Sequence, residues 1–209
     1  MFNKKATIKN LIGKIKGIVI VILLALFIRT FIVQAFDIPS GSMEPTLLPG
    51  DYILVSKFIY GIRIPYTNIR LFSYEKPHRG DVIVFIYPKD PSKDFIKRAI
   101  GMPRETVQII RGKIYIDNTP IPDPWGYFDQ KESPGFIEAV ENFSPVVVPE
   151  DSLFVMGDNR NDSEDSRFWG TLPLKGVLGK AFIIYFSWNG KAENLLDKVR
   201  WSRIGELIH

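Results

Sequence analysis

Between Gly17 and Phe36 the chain places 16 apolar residues in 20 positions, and Ile18–Ile28 is apolar without a break. As a helix this stretch would be about 30 Å long, close to the thickness of one hydrocarbon core. A helix apolar on every side has no face for water, so it must be enclosed by protein or lipid. Arg29 interrupts the run and limits its charge-free part to Gly17–Ile28. Near the end of a span, an arginine can lay its stem along acyl chains and carry its guanidinium to the headgroups. Five lysines (Lys4, Lys5, Lys9, Lys14, Lys16) precede the run and Asp37 follows it. This asymmetry predicts a cytoplasmic tail over residues 1–16, a single transmembrane anchor over 17–36 and the remainder on the outer face. A cleavable signal is the rival reading, since Val33-Gln34-Ala35 offers small residues at −3 and −1. A buried core helix is the third. An N-terminus at Phe36 on the mature protein would overturn the anchor.

The same lysines account for the chain's charge. The net is +4, but residues 17–209 carry 22 basic against 23 acidic side chains. A basic tail on a near-neutral body argues against a nucleic-acid partner. There is no cysteine, and the only histidines are His78 and His209. Disulfide scaffolds, thiol nucleophiles and thiolate metal sites are therefore excluded, and neither a metal nor another cofactor is expected.

After Asp37, short β-branched and aromatic runs alternate with Gly, Pro, Asn and Asp. They are Tyr52–Tyr60, Val82–Tyr87, Phe95–Ile100, Thr106–Arg111, Lys113–Ile116, Val146–Val148, Leu153–Met156 and Val177–Trp188. The pattern predicts a mostly β fold: an antiparallel β-sheet domain over 37–111 and 150–190, interrupted by a small β-rich subdomain over 112–149. That insertion is rich in proline and aromatics and offers no clear candidates for chemistry. Residues 191–209 form a C-terminal tail, with a short amphipathic helix expected around Asn194–Ile208.

Two segments hold more polar and conformationally special residues than packing requires. Pro39-Ser40-Gly41-Ser42-Met43-Glu44-Pro45-Thr46-Leu47 reads either as a linker or as a rigid turn presenting a serine oxygen beside backbone N–H groups. Gly157-Asp158-Asn159-Arg160-Asn161-Asp162-Ser163-Glu164-Asp165-Ser166-Arg167 reads first as a solvated loop. A calcium loop does not fit it, because Arg160 stands where an oxygen ligand is needed. A serine nucleophile requires a base. With histidine nearly absent, a desolvated lysine is the remaining common choice. Lys97 is the best placed, since in a strand Phe95, Lys97 and Ala99 share one face. Lowering its pKa from ~10.4 to near 8 requires roughly 3 kcal/mol of charge destabilisation. Position alone leaves open an ordinary lysine on an exposed strand. Ser73-Tyr74-Glu75-Lys76 matches S-x-x-K but lacks the K-T-G and S-D-N partners of penicillin-recognising enzymes. Arg79-Gly80-Asp81 is more simply a turn into the next strand than an integrin tripeptide.

Taken in order, Ile38-Pro39-Ser40-Gly41-Ser42-Met43-x-Pro45-Thr46-Leu47, Gly50-Asp51, Arg79–Phe85, Phe95-Ile96-Lys97-Arg98-Ala99-Ile100-Gly101 and Gly157-Asp158-Asn159-Arg160-x-x-Ser163-x-Asp165-Ser166-Arg167-x-Trp169-Gly170 resemble the motif set of bacterial type I signal peptidases. The tail Arg200-Trp201-Ser202-Arg203-Ile204 is similar as well. The resemblance implies a membrane-bound serine endopeptidase that cleaves exported preproteins after small residues at −3 and −1. It implies Ser42 as nucleophile, Lys97 as general base, and the Ser42 N–H with the Ser40 hydroxyl as oxyanion hole. Ser163 would bond the Lys97 amine, while Asp158, Asp165 and Arg167 would hold the loop. Phe36, Ile38, Leu47 and Ile96 would line shallow substrate pockets. The implied partners are preproteins and the lipid bilayer, with no nucleic acid and no metal, at the plasma (inner) membrane. Ser42 follows Phe36 by six residues, at most about 20 Å of extended chain, which would keep the site at the membrane surface. Two other functions remain at this stage: a self-cleaving Ser-Lys protease and a non-enzymatic anchored β domain.

Overall fold

The computed structural model describes residues 4–63, 70–71, 75–128 and 141–209. It begins with helix α1 (Lys4–Phe31), which passes through Ile32 into strand β1 (Val33–Asp37). The strands that follow are β2 (Asp51–Ser56), β3 (Ile62–Arg63), β4 (Arg70–Leu71), β5 (Val82–Ile86), β6 (Asp94–Gly101), β7 (Thr106–Ile110), β8 (Lys113–Ile116), β9 (Thr119–Pro120), β10 (Phe143–Val147), β11 (Ser152–Met156), β12 (Leu172–Pro173) and β13 (Val177–Ser187). A one-turn helix, α2 (Ser166–Trp169), precedes β12.

Seven of these strands form one sheet in the order β1-β2-β13-β5-β6-β11-β12, with every described pairing antiparallel. Its core strands are buried along most of their length, Val82–Phe85 and Leu153–Met156 without a break. A β-branched, apolar run of this kind suits a strand covered on both faces. A four-stranded sheet, β10-β7-β8-β9, packs its own apolar cluster (Val107, Ile109, Ile114, Ile116) against Ile100, Phe154 and Met156. The small sheet takes in β7, so it begins at Thr106 rather than at Gly112. Residues 129–140 of the expected insertion, and the Ser73-Tyr74 half of the S-x-x-K match, lie outside the described residues.

Two expectations are corrected. The expected 17–36 span is helical only to Phe31, because Val33–Asp37 pairs with β2 from Val33↔Ser56 to Asp37↔Tyr52. Among the described residues no helix is long and apolar enough to cross a membrane. Lys14, Lys16 and Arg29 leave Gly17–Ile28 as its longest charge-free stretch, about 18 Å of helix. The tail contains no amphipathic helix, only 3-10 turns at Leu195–Lys198 and Trp201–Arg203. Gly205 N donates to Ile184 O and Ile184 N to Glu206 O, so the final segment is drawn out along β13.

The tail is also tied to the beginning of the domain. Asp51, fully buried, accepts from Arg203 Nη2 at 2.6 Å, Arg200 Nη1 at 3.2 Å, Ser187 Oγ at 2.6 Å and Leu48 N at 2.8 Å. Arg203 Nη2 further donates to Thr46 O at 2.8 Å. A carboxylate this deep needs such a set of donors, and the tail supplies most of their charge.

Candidate active site

Ser42 sits in the turn that joins β1 to β2. Glu44 N donates to Gly41 O and Leu47 N to Met43 O, closing the chain on itself. Met43 and Leu47 are fully buried among Ile53, Val55 and Val84. The turn is thus nailed to the core on both sides of its polar residues, and Ser42 is held in a fixed place. Among the described residues no group accepts the Ser42 N–H. The Ser40 and Ser42 hydroxyl oxygens are 3.5 Å apart.

Lys97 comes from β6, opposite Ile83 of β5. Its Nζ lies 2.7 Å from Ser42 Oγ, and the residue is 4% exposed. The ammonium also stands 5.5 Å from the centre of the Phe95 ring, which is stacked on Tyr87 at 4.2 Å. Burial lowers the Lys97 pKa to about 8, against the opposing pull of Asp165, Glu164 and Asp158. A substantial neutral fraction at ordinary pH lets the amine accept a proton, which a solvated lysine at ~10.4 could not.

The Gly157–Gly170 loop packs behind this pair through buried charges. Arg98, next to Lys97 and pointing to the other face of β6, grips Asp158 with two bonds of 2.8 and 2.6 Å. Thr46 Oγ1 donates to the same carboxylate at 2.6 Å, and Arg98 Nη1 reaches Gly80 O and His209 O. Asp165 caps α2 and accepts from Gly157 N at 3.0 Å, Ser163 Oγ at 2.8 Å and the Arg167 guanidinium through both oxygens at 2.8 Å. Gly157 has no room for a side chain: a Cβ there would lie 2.2 Å from Ser163 Oγ and 2.4 Å from Ser42 O.

Beside the pair opens a cleft of about 400 Å³, with Phe36, Ile38, Ile53, Val84 and Ile96 on its apolar part and Ser40, Ser42 and Lys97 on its polar part. The structure brings Ser42, Lys97, Ser40, Phe36, Ile38 and Ile96 together at the cleft, with Asp158, Asp165 and Arg167 behind them. Two residues differ. Leu47 is fully buried in the core and does not line the cleft. The Ser163 hydroxyl donates to Asp165, and no bond from it to Lys97 is present among the described residues. The sequence reading missed Ile53 and Val84 as lining, and Thr46, Arg98 and Asn159 as supports. Strand alternation through β2 carried the signal for Ile53; β5 is apolar throughout and carried none for Val84. For Arg98 the signal was a second cation beside Lys97 in an otherwise apolar strand.

The sequence profile described as "Signal peptidase, peptidase S26" matches residues 11–188. A signal peptidase I from Pseudomonas aeruginosa is 35% identical over 224 residues, covering 90% of this chain and 76% of the relative. One from Aquifex aeolicus is 37% identical over 228 residues and covers 84% of each. One from Leptolyngbya laminosa is 37% identical over 188 residues, covering 86% of this chain and 81% of its own.

Proposed function

This chain belongs to the signal peptidase family, peptidase S26, and we propose that it hydrolyses its preprotein substrates with Ser42 as nucleophile and Lys97 as general base. It is a serine peptidase that cleaves signal peptides. The observation that carries the mechanism is the 2.7 Å approach of the buried Lys97 amine to Ser42 Oγ. Neutral Lys97 takes the hydroxyl proton as Oγ attacks the scissile carbonyl carbon. The same ammonium then gives that proton to the leaving amine as the C–N bond breaks. Charge developing on the carbonyl oxygen would be met by the Ser42 N–H, which no described group accepts, and by the Ser40 hydroxyl, whose oxygen lies 3.5 Å from Ser42 Oγ. Water, deprotonated by the regenerated amine, then releases the acyl group from Ser42. The apolar cleft formed by Phe36, Ile38 and Ile96 favours small side chains at −3 and −1 of the substrate. Asp158, Asp165, Arg167 and Ser163 act by fixing the loop behind the pair.

α1 is the proposed site of attachment to the plasma membrane. Supporting this, Ile18, Ile20, Val21, Leu23 and Leu24 are all exposed along the helix, an apolar surface suited to lipid. The deciding experiment is cleavage of a preprotein with Ala at −3 and −1 by detergent-solubilised enzyme. Ser42→Ala and Lys97→Ala are each expected to abolish processing while circular dichroism stays unchanged. Substantial processing by purified Lys97→Ala would overturn the mechanism.

A further inference from the structure

Among the described residues, the excursion through the small sheet contributes none to the cleft, yet one stretch of it touches the Gly157–Gly170 loop at several points. Leaving β9, residues 121–127 cross behind Gly157–Arg160. Tyr127 N donates to Asp158 O at 2.7 Å, and Arg160 N donates to Tyr127 O at 2.8 Å, so a parallel bridge brackets Asn159. Asn159 in turn holds the nucleophile's turn: its N–H donates to Ser42 O at 3.2 Å and its Nδ2 to Gly41 O at 3.3 Å. Only two hydrogen bonds therefore separate the strap from the Ser42 carbonyl.

Charge reinforces this contact. The Arg160 side chain is 1% exposed, and its guanidinium is paired with both oxygens of Asp123, Nη2 to Oδ1 at 2.8 Å. Its Nε donates to Gly157 O at 3.0 Å. A buried guanidinium requires such a counter-ion, and here the counter-ion comes from the strap. The Trp125 ring lies 4.7 Å from the guanidinium carbon of Arg98, the residue that clamps Asp158. The fit is close, because a Cβ on Gly126 would fall 2.5 Å from Asp123 Oδ2 and one on Gly80 would fall 2.8 Å from the Trp125 ring.

We propose that residues 121–127 are a positioning strap for the reaction, with Asp123 and Trp125 holding the Asp158–Arg160 turn in the place that aligns Ser42 with Lys97. Neither residue touches substrate. Their effect passes through Arg160 and Arg98 to Asn159 and thence to Ser42. The proposal rests on Ser42 and Lys97 being the catalytic pair.

The test uses the full-length enzyme in detergent, a preprotein substrate and separate measurement of kcat and KM. Asp123→Asn keeps the shape but removes the counter-charge, and is expected to lower kcat on the order of tenfold with KM changed less than about twofold. Asp123→Glu should recover most of that loss, and Arg160→Gln added to Asp123→Asn should cost little more. Trp125→Leu, which removes no charge, should follow the same kcat pattern and serves if Asp123→Asn fails to fold. An unchanged kcat with only a lowered melting temperature would overturn the proposal, leaving the strap a structural prop. A raised KM with intact kcat would also overturn it, by making the strap part of the substrate site. Ser42→Ala assayed alongside keeps the premise separate, since activity surviving there would strike down the catalytic pair and not the strap.

Discussion

Replacing Lys97 with methionine should make the folded protein more stable while abolishing its activity. Methionine has nearly the length and volume of lysine and suits the apolar ground beside Phe95. Burial holds the Lys97 pKa down at about 8. Below that pH both the folded and unfolded chains carry the charge, and the folded one bears the full desolvation cost. From an ordinary value of ~10.4 the difference is about 3 kcal/mol. The Lys97–Ser42 hydrogen bond returns about 1 kcal/mol, leaving the methionine variant ahead by about 2 kcal/mol at pH 6–7. As pH rises between about 8 and 10.4 the native lysine is neutral while the unfolded one is still protonated, so wild-type stability climbs. The advantage of methionine should therefore shrink by about 2 kcal/mol between pH 7 and 9.5. Equilibrium denaturant unfolding of both proteins at these two pH values provides the measurement. A stability difference independent of pH, or a methionine variant less stable at pH 6, would refute the account of Lys97 as an amine whose proton is loosened by burial.

For wild type, kcat/KM should rise with pH through an apparent pKa near 8 and then level off, as the amine loses its proton; a profile flat from pH 6 to 9 would count against Lys97. Asp158→Asn leaves Arg98, itself without exposure, lacking its charge partner, and should destabilise the domain by about 3–5 kcal/mol in denaturant titrations. Gly157→Ala drives a methyl group into Ser42 O and Ser163 Oγ, so kcat should fall on the order of a hundredfold in the preprotein assay with overall folding retained. Asp51→Asn loosens Arg200 and Arg203, and limited proteolysis should then release the tail beyond residue 190 much sooner than in wild type.

How much of this was legible depended on the range of the interaction. The strands from Val82 to Tyr87 and from Phe95 to Ile100 were visible because β-branched runs between Gly and Pro leave the backbone little choice. Lys97 stood out as the base because histidine was nearly absent. Its proximity to Ser42 spans 55 residues and depends on the chain of pairings β2–β13–β5–β6. Phe31 and Val33 read as one apolar stretch, since hydropathy cannot tell the end of a helix from the start of a half-buried edge strand. The tail resembled an amphipathic helix until Asp51, far away in sequence, claimed two of its arginines. Leu47 could not be assigned to core or cleft by pattern, because both are apolar. The strap was missed for a similar reason: Asp123 and Trp125 look like turn residues until Arg160 and Arg98 are seen beside them.

The bond between Asp51 and Arg203 joins residues 152 positions apart, and it reaches the turn that carries Ser42. Synthesis proceeds from the N-terminus, so Ser42 is made well before Arg203, which fastens its turn. Strand β13, which lies between β2 and β5, is also made after both of them. Lys97 cannot be brought against Ser42 in a lasting way until that strand has threaded between them in the sheet. The sheet that sets Lys97 against Ser42 is therefore closed only after residues 177–187 have been added to it.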